Sequence, residues 1–253
     1  VRLTIVGCAG SYAGPDSPAS SYLLEAEHAG STYRVVMDMG SGALGALQRH
    51  VDPRDVDAVV LSHLHPDHCI DLCGFFVFSK YHPDGALAPI PVWGPDDTAG
   101  YMARAHGPDA STGMDDQFDF QPWQEGEPVV LGPFTITPVL VDHPVQAYAL
   151  KVQAGDATLV YSGDTGPTEA LAAMAQGADV LLCEASFVES QENPPNLHLT
   201  GAEAGEYARR CGVGRLLVTH VPAWTDRDEV GRDVASTFDG AWTLVECGQV
   251  FDL

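Results

Sequence analysis

Ser62-His63-Leu64-His65-Pro66-Asp67-His68 places three imidazoles and a carboxylate within six residues, directly after the apolar run Ala58-Val59-Val60-Leu61. Neutral imidazole and carboxylate are the side chains that hold zinc and similar first-row divalent ions, and alternating them lets one loop serve two neighbouring metals. A polar turn that merely happens to be His-rich is the competing reading. The two readings differ in whether the rest of the chain supplies the missing ligands.

Further candidates recur at one kind of position. Val59-Val60-Leu61 leads to His63, Val139-Leu140-Val141 to His143, Leu159-Val160-Tyr161 to Asp164, Val180-Leu181-Leu182 to Glu184, and Leu216-Leu217-Val218 to His220. In layered α/β proteins the loops converge over the carboxyl ends of the strands, so polar groups carried there meet over a rigid sheet. A lone His143 or His220 would be an ordinary hydrogen-bonded histidine. Five such run ends together with the opening motif point to a site.

The remaining pattern is that of an α/β chain. Strand-like runs lie at 3–6, 22–26, 33–37 and 58–61, then at 129–131, 134–141, 148–153, 158–161, 180–183, 216–219 and 242–245. Helical candidates at 67–79, 96–106, 168–176, 201–211 and 226–238 are each bounded by Gly, Pro or a polar cap. The halves are of similar build, and no charge run or low-complexity linker divides them. The chain 1–253 is therefore expected to form one domain.

Composition narrows the function. Twelve Lys and Arg against 35 Asp and Glu give a formal charge of -23, a field that repels polyanions and argues against nucleic acid as a partner. No stretch approaches the roughly 20 apolar residues that span a bilayer, so a cytoplasmic protein with no membrane partner is expected. The six cysteines, Cys8, Cys69, Cys73, Cys183, Cys211 and Cys247, are scattered and read as free thiols. Cys69 and Cys73 stand beside the metal motif, but one turn further along the helix they are expected to pack inward. His28, His50, His82 and His106 have no companions at ligand spacing; His82 alone is near enough to the motif to line a pocket rim.

The chain resembles the metallo-β-lactamase superfamily of metal-dependent hydrolases. The family signature H-x-H-x-D-H stands here as His63, His65, Asp67 and His68, and the later single ligands match His143 in Val-Asp-His-Pro, Asp164 in Ser-Gly-Asp-Thr-Gly, and His220 in Val-Thr-His. The resemblance implies an α/β, four-layer αββα sandwich with the site at one edge of two facing sheets. It further implies two divalent metal ions, zinc first with manganese or iron as alternatives. His63, His65 and His143 would bind one, Asp67, His68 and His220 the other, and Asp164 would bridge them. Asp38-Met39-Gly40-Ser41-Gly42 is similar to the family's Asp-bearing turn, which supports the ligand loop from behind.

Cys-Glu-Ala-Ser-Phe at 183–187 and Leu-His-Leu-Thr-Gly at 197–201 resemble the transfer-RNA 3′-endonuclease branch, where a Glu-paired His assists the leaving oxygen. That implies catalytic roles for Asp67, Glu184 and His198. Two departures set the chain apart from RNA cutters: only about twenty residues separate His143 from Asp164, enough for a hairpin of two strands, and His220 is followed by Val-Pro-Ala-Trp. With phrases such as Gly-Cys-Ala-Gly-Ser and His-Leu-Thr-Gly-Ala-Glu-Ala-Gly, the whole is similar to an actinobacterial-type group that includes cyclic-nucleotide phosphodiesterases. The expected substrate is a small phosphodiester, foremost a 3′,5′-cyclic nucleotide. The alternatives are an armless RNA 3′-processing endonuclease and a lactone, ester or β-lactam hydrolase. A substrate base would stack on one of Tyr81, Trp93, Trp123 or Trp224. The sequence leaves oligomeric state open between a monomer and a homodimer, although homodimers are common in this branch.

Overall fold

Short β-branched runs separated by Gly, Pro and Asp become two seven-stranded mixed sheets in the computed structural model, which describes residues 1–107 and 113–253. The first sheet runs, edge to edge, Val250–Asp252, Arg2–Gly7, Ser21–His28, Ser31–Met37, Ala58–Val60, Ile90–Gly94 and Phe118–Pro122. The second runs Trp242–Leu244, Arg215–Thr219, Val180–Glu184, Ala157–Tyr161, Tyr148–Ala154, Phe134–Leu140 and Val129–Leu131. Each sheet has an antiparallel part near one edge and a parallel part beyond it. Tyr22 lies opposite Met37 in an antiparallel pair, whereas Val35 pairs Ala58 and Val59 pairs Val92 in parallel. In the second sheet Leu150 faces Tyr161 antiparallel, and Leu159, Val180 and Arg215 follow in parallel register.

The period-two alternation of each strand sorts its side chains into layers. Ile5, Tyr22, Leu24, Val35, Met37 and Val60 point between the sheets against Phe134, Ile136, Leu150, Leu159, Tyr161 and Leu217. Their neighbours Val6, Leu23, Val36 and Val59 point the other way, under helices Leu72–Lys80 and Thr98–His106 through Leu72, Phe75, Phe76 and Met102. On the far side, Val160, Leu181, Leu216 and Val218 are covered by Leu171, Ala204, Ala208, Val230 and Val234 from helices Glu169–Ala175, Gly201–Cys211 and Arg227–Thr237. The result is the αββα sandwich. Thr200 starts the helix at Gly201 with a full capping box closed by Glu203, the clearest of the helix signals in the sequence.

Several elements differ from expectation for local reasons. The helix expected over 67–79 is two, Pro66–Cys69 and Leu72–Lys80. The break falls at Asp71, whose amide donates to Met39 O and whose carboxylate accepts from Leu44 N at 2.8 Å. Strands Ile90–Gly94, Phe118–Pro122 and Val250–Asp252 are absent from the sequence reading, because they are short and two of them contain proline. Glu184 is the last residue of its strand rather than one past it. The segment between His143 and Asp164 is the hairpin of Tyr148–Ala154 and Ala157–Tyr161. Cys8, Cys69, Cys183 and Cys211 are buried free thiols, and Cys73 and Cys247 are half-buried and also free. Among the described residues no helix is long and apolar enough to cross a membrane.

Trp123 locks the ligand loop onto this frame. It is buried, lies 5.4 Å from the Trp93 ring, and its indole N–H donates to Leu61 O at 2.9 Å, just ahead of Ser62 and His63. Trp123→Ala is expected to lower stability by about 3–5 kcal/mol through cavity formation and loss of this bond, measured as a drop in the urea unfolding midpoint.

Candidate metal centre

All seven residues of the ligand pattern meet at one edge of the sandwich, carried by loops from both sheets. His63, His65, Asp67 and His68 come from the turn after Ala58–Val60, His143 follows Phe134–Leu140, Asp164 follows Ala157–Tyr161, and His220 follows Arg215–Thr219. One ligating atom each from His63, His65, His143 and Asp164 lie within 4.8 Å of one another, as do those of Asp67, His68, Asp164 and His220. Asp164 belongs to both groups. Cys69 and Cys73 belong to neither.

Groups outside the two clusters aim the rings. A carbonyl or carboxylate oxygen can only accept, so His143 Nδ1 donates to Leu197 O at 2.9 Å and His68 Nδ1 donates to Asp38 Oδ2 at 2.7 Å. In the neutral form that binds metal, the inner nitrogens of those rings are then left as lone pairs. His143 Nε2 and His63 Nε2 each stand 3.1 Å from His65 Nδ1, and His68 Nε2 stands 3.1 Å from His220 Nε2. Asp67 Oδ2 is 3.1 Å from His220 Nε2, while Asp164 Oδ1 and Oδ2 lie 3.2 Å and 3.3 Å from His68 Nε2 and His220 Nε2.

Such converging acceptors repel one another unless protons or cations sit between them. The four carboxylates buried among the described residues, Asp38, Asp67, Asp164 and Glu184, are all here, and no Lys or Arg is buried with them. Asp164 Oδ1 is buried without a hydrogen-bond partner. Two divalent cations would offset four negative charges and take up these lone pairs, so the residues fit the metal pair that the ligand pattern implies.

The ionisation behaviour points the same way. Burial pushes His63 well below the ordinary imidazole range, reinforced by the neighbouring charge at His68, and burial also lowers His65 and His143. Neutral imidazole is the form that binds metal. Burial also acts against charge on His68, but Asp164 and Asp38 outweigh it and raise its pKa well above ordinary, so a cation entering there displaces a proton. Asp67 is held down to about 2: its burial is overcome by the hydrogen bond from His220 and the charge at His68.

The turn at Asp38 supports this loop. Asp38 Oδ1 accepts from Ser62 N at 2.7 Å, and Oδ2 accepts from Ser62 Oγ at 2.8 Å and from Tyr161 OH at 2.7 Å, besides His68. Gly40 is required on steric grounds, since a Cβ there would lie 2.0 Å from Asp67 O.

Beside the ligands, His198 Nδ1 bonds Glu184 Oε1 at 2.9 Å. Burial disfavours charge on His198, yet the Glu184 carboxylate outweighs it and lifts the pKa to about 9. Glu184 therefore favours the protonated ring, and Nε2 has no hydrogen-bond partner among the described residues. Ser186, which sequence reasoning missed, lies 3.0 Å from Glu184 Oε2 and 2.9 Å from His220 Nδ1. Glu184 thus orients His198 directly and the ligand His220 through Ser186. Its serine partner stands two residues on in the same segment, but only the tertiary fold brings His220 to it.

Other candidates separate by burial. Trp123 and Trp93 belong to the core, while Tyr81 and Trp224 are 69% and 70% exposed. His82 lines a cavity with Asp52, Arg54, Phe78 and Asp84, a set that contains none of the seven. His28, His50 and His106 are exposed. A cavity of about 480 Å³ lined by Cys8, Pro15, Ala223 and Arg227 includes none of the seven.

The family model described as Beta-lactamase superfamily domain matches residues 33–221, a span that contains all seven residues of the ligand pattern. The chain belongs to that superfamily. With the metallo-β-lactamase fold and this donor set it is a metal-dependent hydrolase. An uncharacterised protein of Mycobacterium leprae is 48% identical over 256 residues, covering 100% of this chain and 89% of the relative. The probable metallo-hydrolase YhfI of Bacillus subtilis is 28% identical over 260 residues, covering 100% of both. Its crystal structure superposes with a TM-score of 0.86, at 27% identity, over 99% of this chain and 98% of that one. Ribonuclease Z of Mycobacterium bovis is 29% identical over 263 residues, covering 94% of this chain and 92% of the relative.

Two outcomes are expected. Asp38→Asn removes the charge that holds His68 and Ser62, and should weaken metal affinity about 10–100-fold, read by competition with a coloured chelator. Stripping metal from the wild-type protein should lower Tm, and adding back zinc or manganese should restore it, because only the folded chain assembles the site.

Proposed function

We propose that this hydrolase cleaves a small phosphodiester, with a 3′,5′-cyclic nucleotide as the best-fitting substrate class and zinc, or else manganese or iron, as the metal. The observation that carries the reading is the 2.9 Å pairing of Glu184 with His198, which keeps a cationic acid beside the ligand cluster. The alkoxide released from phosphorus is a poor leaving group, and a donor placed opposite the nucleophile meets that need. When bound, the cations supply a water-derived nucleophile at neutral pH and offset charge on the phosphoryl oxygens.

The side chains divide the remaining work. Asp67 is less enclosed than Asp164, its side chain 10% exposed against 3%, and serves as the ligand carboxylate that orients water and accepts its proton. His198 donates from Nε2 to the departing ribose oxygen, and Glu184 holds the ring and stabilises its charge through Nδ1. Ser186 keeps His220 in register with the same carboxylate.

What surrounds the site supports a small substrate. The twenty-odd residues between His143 and Asp164 are used up by a tight hairpin within the sheet, with no long arm to hold a polynucleotide. A formal charge of -23 also opposes the many phosphate contacts that RNA binding needs. The relative named ribonuclease Z supports phosphodiester chemistry, while the short hairpin and the acidic charge argue against RNA as the substrate here.

Turnover of cyclic AMP, a lactone and a precursor transfer RNA separates the classes. Cyclic AMP hydrolysis is expected, and rapid lactone cleavage without phosphodiester turnover would overturn the reading. His198→Ala should lower kcat about 10²–10⁴-fold with metal content unchanged; loss of metal instead would make His198 a ligand.

A further inference from the structure

Trp224 is 70% exposed and Tyr12 is 39% exposed, yet their ring centroids are only 4.8 Å apart with the planes 34° from parallel. Large aromatics left in water without a partner surface are unusual in a chain whose other tryptophans are buried or half-buried. Tyr12 lies against the Trp224 ring, and most of the indole surface remains exposed.

The pair is tied to the metal centre at both ends. Trp224 is four residues beyond the ligand His220, a reach of at most about 14 Å. Val221–Pro222 pairs in parallel with Ala9–Gly10, the strand that leads into Tyr12. Gly10 is pressed against the ligand itself, since a Cβ there would lie 2.4 Å from His220 O. The loop bearing Tyr12 returns at Ala19, which donates its amide to Ser41 O in the turn that supports the ligand loop. Thr225 N closes the other loop by donating to Pro222 O at 2.9 Å.

Among the described residues no Lys or Arg is buried at the site to hold substrate, and the surface field repels anions. Metal ions bound at the centre would hold the phosphate alone. Further affinity has to come from an uncharged interaction with the rest of the molecule, and a flat aromatic face offers it to any nucleobase. We propose that Trp224, backed by Tyr12, is the stacking platform for the base of a nucleotide substrate, so that this pair sets specificity for nucleotides over other phosphodiesters. The proposal rests on the phosphodiester reading above, and its occupant is a single nucleobase. Stacking places no demand on hydrogen-bonding groups of the base, so purines and pyrimidines are both accepted, the larger purine surface being favoured.

The test compares cyclic AMP with ribose 3,5-cyclic phosphate lacking a base. Trp224→Ala should raise the ratio of their KM values roughly 5- to 100-fold, the worth of one base–aromatic stack, and Trp224→Phe should recover most of it. An unchanged ratio with cyclic AMP still hydrolysed would overturn the platform while leaving the phosphodiester reading intact. A second measurement does not depend on turnover: adenosine monophosphate should quench tryptophan fluorescence in the wild-type holoenzyme and not in Trp224→Phe, with ribose phosphate as control. Quenching without any cyclic-nucleotide hydrolysis would support the platform and overturn the substrate reading; no difference between the two proteins would overturn the platform. A changed sedimentation coefficient in Trp224→Ala with an unchanged KM ratio would assign the aromatic pair to contact between copies of the chain and overturn it as well.

Discussion

The fully buried carboxylate of Asp38 is the interaction on which the rest of the site depends. It receives Ser62 N, Ser62 Oγ, His68 Nδ1 and Tyr161 OH, and Tyr161 belongs to the opposite sheet. A buried charge tolerates no half-made arrangement, because each missing donor leaves it less compensated. The turn holding it, the ligand loop and the second sheet are therefore brought into one register by a single group. Asp38 itself adopts φ +58, a conformation that non-glycine residues rarely take, and the four donors are what make that strain tolerable.

Much of this was legible in the sequence, for a physical reason. Imidazoles and carboxylates crowd into 62–68, and each later candidate follows an apolar run that can only be a buried strand, so convergence at a sheet edge follows from the αββα architecture. The support from the 38–42 turn and the pairing of Glu184 with His198 could also be anticipated, as they lie in recognisable local phrases. What stayed hidden depends on distant partners. Ser186 reads as an ordinary loop serine until His220 arrives beside it, and the break at Asp71 depends on Leu44 and Met39. Likewise Trp123 and Trp224 look alike in sequence, and only packing makes one a core residue and the other a surface one.

The charge distribution has an internal logic. Acidic residues over the surface confer solubility, while the buried ones are gathered where cations belong, and the basic residues are kept out of the interior. The site without metal is thus rich in carboxylates and suited to binding metal ions. His198 stands beside this cluster, its ring held by a carboxylate with no exposed surface.

The pairing of His68 with His220 spans 152 residues, and the short ribbon of Ala9–Gly10 with Val221–Pro222 spans more than 200. Contacts of such separation form late, after loop closure across nearly the whole chain. During synthesis the emerging 62–68 loop presents imidazoles well before Asp164 and His220 exist to complete either cluster. A chain released short of its last ligand therefore holds an incomplete centre, and a loaded one marks a chain whose two ends have already come together.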